Sequence, residues 1–267
     1  MKGILSIIVS LTTAAMVFAQ QPVGDTILIK DSPEGCCPLL KIGKSYLGTK
    51  YVANTLDQNK EEKLVIETQT VDCLTLIEYV LAQALEGSSF AKNLQEIRYR
   101  NGIIDGYPSR LHYTSDWIEN GIRNHFLTDI TAKNSPYTIT LSLSYMSTHP
   151  QQYKQLADSP ENVKRMTEYE KALTGKVIHY LPKDKLPDTG LPWIMDGDII
   201  AIVTNLSGLD IAHVGLAYYI DGKLRLLHAS STLGKVVISE EPLIKMLDNH
   251  KLWTGIRVVR MSHPKNN

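Results

Sequence analysis

Apolar residues recur at Leu76, Ile77, Val80, Leu81 and Ala84, with Cys73 one turn ahead on the same stripe. The i, i+3, i+4, i+7 spacing predicts a helix with one buried face. Thr70 or Asp72 can cap its start, and Gly87 can end it. Later the period changes. Asp198–Val203, apolar from Ile199 onward, predicts a buried strand, and residues 254–261 read as another. Two further strand-like runs, 213–220 and 223–229, flank Asp221-Gly222. Asp-Gly between such runs is a strong signal for a two-residue hairpin. Ile220 then faces Lys223, Gly215 lies opposite His228, and His213 lies opposite Ser230. Because strand side chains alternate, His213 and His228 project from one face as diagonal neighbours. Gly215, lacking a side chain, is expected to leave space beside His228.

The remaining pattern is weaker. A short helix is expected around Cys37–Leu47, a strand at Lys63–Glu67, and helices around Phe90–Arg100, Asp116–Phe126 and Pro160–Leu173. Residues 88–195 read as a helical insertion that shapes a cleft. Within it, Arg110-Leu111-His112-Tyr113 and Asp116-Trp117 carry groups that hydrogen-bond and stack on a sugar or a peptide. Trp117 shares a helical stripe with Gly121 and Asn124, so it can equally be core.

Residues 1–19 have the form of a secretory signal. Lys2 precedes the apolar run Ile4–Val17, which is too short to span a bilayer, and cleavage is expected before Gln20. Residues 20–267 are then one exported, periplasmic domain without a membrane span. Lysine plus arginine equals aspartate plus glutamate at 28 each, so there is no basic field for nucleic acid. The three cysteines are Cys36, Cys37 and Cys73; the first two are adjacent and poorly placed to bond each other, so an odd thiol is left over. No Cys-x-x-Cys or His-Glu-x-x-His spacing supports a metal site.

A cysteine on an apolar stripe is ordinarily a packing residue, and one strand histidine is ordinarily a satisfied core group. Two histidines on one face, with a thiol at a helix start, change that balance. The helix N-terminus favours a thiolate. A cysteine nucleophile needs a base, and the base needs a group to hold its ring. Cys73, His213 and His228 can fill those three roles.

The order of Asp72-Cys73, Gly197-Asp198, His213-Val214-Gly215 and His228-Ala229-Ser230 resembles the papain-like, NlpC-type cell-wall hydrolases. Tyr46-Leu47-Gly48-Thr49, Arg110–Tyr113 with Asp116-Trp117, Gly208–His213 and Thr254–Arg260 resemble a branch of that superfamily, the AmiA-type N-acetylmuramoyl-L-alanine amidases of Gram-negative gut bacteria. Lys50 departs from the proline expected before Tyr51. The resemblance implies an α+β, papain-like fold with an antiparallel sheet packed on the nucleophile helix. It implies an anhydro-muropeptide fragment of peptidoglycan as substrate and hydrolysis of the lactyl–L-alanine amide. Cys73 is the nucleophile, His213 the base and His228 its orienting group. Tyr46, Tyr51, Asp72, Arg110, His112, Tyr113, Asp116 and Trp117 are the expected substrate contacts, and no metal or organic cofactor is expected. Two other readings remain: an endopeptidase cutting after D-glutamate, with Asp72 binding the free amine of L-alanine, and a catalytically silent wall-binding module.

Overall fold

A computed structural model describes residues 37–262. The segment read as an export signal and Cys36 lie outside the described residues. The helices are α1 (Pro38–Ser45), α2 (Cys73–Ala84), α3 (Phe90–Arg98), α4 (Thr114–Arg123), α5 (Thr131–Asn134), α6 (Tyr145–Thr148), α7 (Lys154–Ala157), α8 (Pro160–Leu173) and α9 (Leu243–Asp248). The strands are β1 (Lys50–Tyr51), β2 (Thr70–Val71), β3 (Leu127–Asp129), β4 (Thr138–Thr140), β5 (Val177–His179), β6 (Leu181–Pro182), β7 (Ile199–Thr204), β8 (Ile211–Ile220), β9 (Lys223–Ser230), β10 (Lys235–Ile238) and β11 (Trp253–Met261). The fold is mixed α+β. The main sheet has the order β2-β1-β10-β9-β8-β7-β11-β3, with β6 also pairing β11. Its central strands are antiparallel, and only the edge pair β1–β2 runs parallel.

The hairpin follows the count from Asp-Gly. Ile220 pairs with Lys223 and Leu216 with Leu227. Asp221 and Gly222 both have positive φ, 51° and 70°, as the mirror-image turn of a two-residue hairpin requires. β7 is buried along its whole length because both faces of the sheet are covered. On one face, Ile199, Ala201, Leu216 and Leu227 pack against Leu39 of α1 and Leu76, Ile77 and Val80 of α2. On the other, Ile200, Ile202, Leu226 and Val258 pack against Leu243 and Leu247 of α9. A third cluster, including Met146, Leu156, Met166 and Leu173, holds the helical segment together.

Two expectations need correction. Lys63–Glu67 is not a strand. Its backbone is held by side chains instead: Arg98 donates to the Val65 carbonyl (2.6 Å), and the Glu67 N–H donates to the Tyr79 hydroxyl (3.1 Å). Leu64 packs on the core while Ile66 faces solvent, and the segment has no strand neighbour. Residues 88–195 are also more than a helical addition, because β3 and β6 both join the main sheet through β11. Asp129 pairs with Arg257 of β11 at 2.8 Å, and buried Asp210 accepts the Ser115 N–H at the start of α4 (2.6 Å). The second contact ties the segment to the chain three residues before His213.

Candidate active site

Asp72 is the N-cap of α2. Its Oδ1 accepts the Thr75 N–H at 2.8 Å, while Thr75 Oγ1 accepts the Asp72 N–H at 2.8 Å. This reciprocal capping box fixes where the helix starts, and therefore where Cys73 points. Cys73 is half-buried, and its thiol lies against the backbone N–H of Val214, the residue after His213. Tyr51 of β1 stands beside it, with its phenol pushed up to about 12 by burial and then by the nearby Cys73 and Asp72. The Cys73 thiol is itself pushed up to about 12, by burial first and by the Asp72 carboxylate second; the N–H groups of Val214, Leu74 and Cys73 oppose this. The thiolate expected from the helix dipole is thus not the resting form. Loss of solvation and a neighbouring negative charge outweigh the dipole.

His213 and His228 meet as the register requires. His213 Nε2 and His228 Nδ1 are 2.7 Å apart, with the rings edge to face at 88°. Burial, followed by the neighbouring His228 and His250, lowers the His213 pKa to about 3. Burial lowers that of His228 to about 4. Both rings are therefore neutral at pH 7 and share one hydrogen-bonding proton. The strand is shaped for this. His213 pairs with Ile202, but the next pair is Ile211 with Val203, so a bulge sits beside His213. Gly215 does not open space beside His228. A Cβ there would meet Leu226 Cγ at 2.6 Å and the Leu227 carbonyl oxygen at 2.8 Å, so the glycine admits close approach of β9. The ring of His213 also lies nearly parallel to Trp253, 7° between planes and 5.9 Å between centroids.

At the α2 N-terminus there is also a cleft of about 180 Å³, whose lining includes Asp72 and Leu74 on either side of Cys73 but not Cys73, His213 or His228 themselves. Asp72, Thr75 and Glu78 line it from α2, Asp57 from the turn before β2, Arg110 and His112 from the loop before α4. Arg110 is buried, pairs with Asp57, and has Nε 3.6 Å from Glu62. His112 Nε2 lies 2.9 Å from the Tyr107 carbonyl, and burial followed by Arg110 lowers its pKa well below the usual range. Glu78 is buried against Arg98 at 2.7 Å, beneath the cleft floor.

Of the expected substrate contacts, the cleft brings together Asp72, Arg110 and His112, and Tyr51 lies beside the thiol. Four others belong elsewhere. Trp117 is fully buried in the core against α2 and the sheet, so it offers no face to a ligand. The Tyr113 hydroxyl donates to Glu170 at 2.6 Å and accepts the Met146 N–H at 3.1 Å inside the third cluster. Asp116 pairs with Arg100. Tyr46 is core, and its hydroxyl accepts from Gln83. The Tyr113 and Tyr46 hydroxyls and the Asp116 carboxylate are each satisfied by a partner from another element, which the local pattern does not reveal, whereas the buried Trp117 indole N–H has no partner among the described residues. Sequence reasoning missed Asp57, Tyr107 and Tyr153 as cleft walls and Trp253 beside His213. The conspicuous tyrosines and the tryptophan were the available signals. None marks a partner.

A family model described as AmiA-like, N-acetylmuramoyl-L-alanine amidase-like, matches residues 41–256. A solved N-acetylmuramoyl-L-alanine amidase from Bacteroides uniformis is similar at 59% identity and a TM-score of 0.83, covering 84% of this chain and 98% of that one. A Bacteroides fragilis structure, provisionally named a xylanase, has 56% identity and a TM-score of 0.82 over 83% of this chain and 100% of its own. A Legionella pneumophila protein is similar at 25% identity and a TM-score of 0.63, covering 84% and 88%. No curated protein sequence matches the chain. With the family model spanning most of its length, the chain belongs to the AmiA-like, N-acetylmuramoyl-L-alanine amidase-like family.

Proposed function

We propose that the protein is a papain-like, NlpC-type cysteine amidase. It hydrolyses the amide between the N-acetylmuramoyl lactyl group and L-alanine in peptidoglycan fragments, with 1,6-anhydro-muropeptides as substrates. The observation that carries the reading is the His213–His228 hydrogen bond, 2.7 Å from Nε2 to Nδ1. It uses one nitrogen of His213 and leaves Nδ1 for the thiol, which lies against the adjacent residue. The name of the Bacteroides uniformis relative supports the amide as the bond cut.

The resting thiol and imidazole are both neutral, so the proton moves as the new bond forms. Cys73 Sγ attacks the lactyl carbonyl while His213 takes its proton. The oxyanion receives the unpaired N–H groups of the first turn of α2, that of Cys73 foremost. The C–N bond then breaks, and His213 returns the proton to the departing alanine amine. Water, deprotonated by His213, opens the thioester; the lactyl carboxylate leaves and the thiol is restored. His228 holds the imidazole throughout.

A glycosidase reading fits less well. It needs two carboxyl groups free to act as acid and base. In the cleft, Asp57 and Glu78 are each engaged by an arginine. The endopeptidase reading draws on Asp72, which lines the cleft beside Cys73. Product masses separate the two. Incubating mature protein with an anhydro-disaccharide tetrapeptide is expected to give the intact tetrapeptide and the peptide-free disaccharide. Release of the dipeptide L-alanyl-D-glutamate from a free stem peptide would instead establish the endopeptidase, and no cleavage by wild-type protein would leave a wall-binding module. Export to the periplasm is part of the proposal; N-terminal sequencing of the extracytoplasmic protein is expected to begin at Gln20.

A further inference from the structure

The aromatic residue beside the proposed base has no part in the reaction drawn above, yet three features aim it there. The His213 ring and the Trp253 indole are nearly parallel, at 7°. His250 stacks on the same indole, 3.8 Å between centroids and 24° between planes. The strands that carry His213 and Trp253 each depart from regular pairing at that point. β8 shifts register between His213 and Ile211, and β11 shifts between Trp253 and Gly255. Bulges commonly re-aim a side chain, and here two of them converge. The turn after α9 fixes the outer ring, because the Trp253 N–H donates to the His250 carbonyl at 3.1 Å and the His250 N–H to that of Leu247 at 3.2 Å.

We propose that Trp253 is a positioning residue for His213, with His250 holding the indole in place. The inference rests on the cysteine-amidase reading. An imidazole bound only through Nε2 still rotates about that hydrogen bond. A flat apolar face parallel to the ring removes this freedom, so Nδ1 stays directed at the thiol. The indole also keeps water from competing for the His213–His228 proton. When His213 becomes cationic during turnover, the negative face of the indole stabilises it. A Trp253 that merely filled the edge of the second core cluster would affect stability, not the ring.

Kinetics and ring-proton NMR on the same variants test this. Trp253→Leu is expected to lower kcat by about ten- to a hundred-fold with KM within about two-fold, the size of loss that follows small misplacement of a reacting group. Trp253→Phe, which keeps a flat face, should retain most of kcat. His250→Ala, at an exposed position, should lower kcat by about three- to five-fold. In the wild type, one hydrogen-bonded imidazole proton should be resolved between the two histidines. It should broaden or vanish in Trp253→Leu and persist in Trp253→Phe, with folded amide spectra in both. Unchanged kcat and an unchanged ring proton in folded Trp253→Leu would overturn the proposal. Should that variant fail to fold, His250→Ala decides: a broadened proton with reduced kcat supports it, and no change in either overturns it. If wild-type protein cleaves nothing, the amidase reading fails, while the NMR comparison still decides whether Trp253 holds the ring.

Discussion

The two flanks of the α2 N-terminus are built on opposite principles. On the histidine flank the groups are neutral and aromatic: His213, His228 and Trp253, carried by strands of one sheet. On the cleft flank they are charged and paired: Arg110 with Asp57 and Glu78 with Arg98, from segments far apart in the chain. Neutral rings in a packed sheet can exchange a proton without the cost of a stable buried charge. Charged groups in a cleft must be compensated in advance, because an unpaired buried ion is expensive. The first flank is suited to chemistry and the second to recognition. That division can be broken experimentally.

The largest effect should come from the chemistry side. Cys73→Ala and His213→Ala are each expected to abolish measurable turnover in a folded protein. His228→Ala should cost about two orders of magnitude less, as losing an orienting group does elsewhere. Steady-state rates with circular dichroism as a fold control test this, and a fully active Cys73→Ala protein would erase the contrast between the flanks.

On the cleft side the largest effects should be on stability. Glu78→Ala leaves Arg98 buried and unpaired, which should lower unfolding free energy by about 3–5 kcal/mol. Trp117→Ala removes a fully buried ring, with an expected loss of similar size, about 3–5 kcal/mol. Urea denaturation measures both. A Trp117→Ala protein of normal stability with altered substrate preference would restore Trp117 to the binding surface.

The pH response should follow the neutral histidines. His213 and His228 have folded pKa values of about 3 and about 4, below the ordinary value of 6.5. Between those limits the unfolded chain binds more protons than the folded one, so stability is full above about pH 6.5 and is lost as pH falls toward 4. Buried Glu62 and Glu78, whose pKa values are raised by burial, act in the opposite sense at the acid end. The acid limb of kcat/KM should accordingly lie below pH 6.5. A limb centred on the ordinary histidine value, with stability flat from pH 7.5 to 5, would mean that the rings are solvated.

The smallest pair of effects separates two neighbours in one stretch. Arg110→Ala should lower kcat/KM for the sugar-bearing peptide more than for the same peptide without sugar. Tyr113→Phe should change neither preference and cost about 1–2 kcal/mol through the donor lost to Glu170. If both substitutions shift specificity alike, the stretch acts as one surface and the cleft is larger than its lining indicates.

Much of the histidine flank is legible in the amino-acid sequence. Asp221-Gly222 sets the turn, the turn sets the register, and alternation then puts His213 and His228 on one face; each step is local. The apolar stripe of α2 and the cap that precedes it likewise put Cys73 at a helix start. The resting state of the thiol is not legible there. The helix dipole is a local effect, whereas burial and the orientation of the Asp72 carboxylate depend on what packs around them. The same holds for Tyr113, Asp116 and Trp117. Composition marks them as able to bind a ligand, but Glu170, Arg100 and the core reach them first. Trp253 carries no local signal because its neighbour His213 arrives from another strand. Periodicity and turn chemistry travel along the chain, and so the sequence alone determined the longer helices, the central strands, the hairpin register and the three candidate reactive side chains. Charge pairing, burial and ring stacking act across space between distant residues, and only the tertiary structure decided which polar groups were left free to face the cleft.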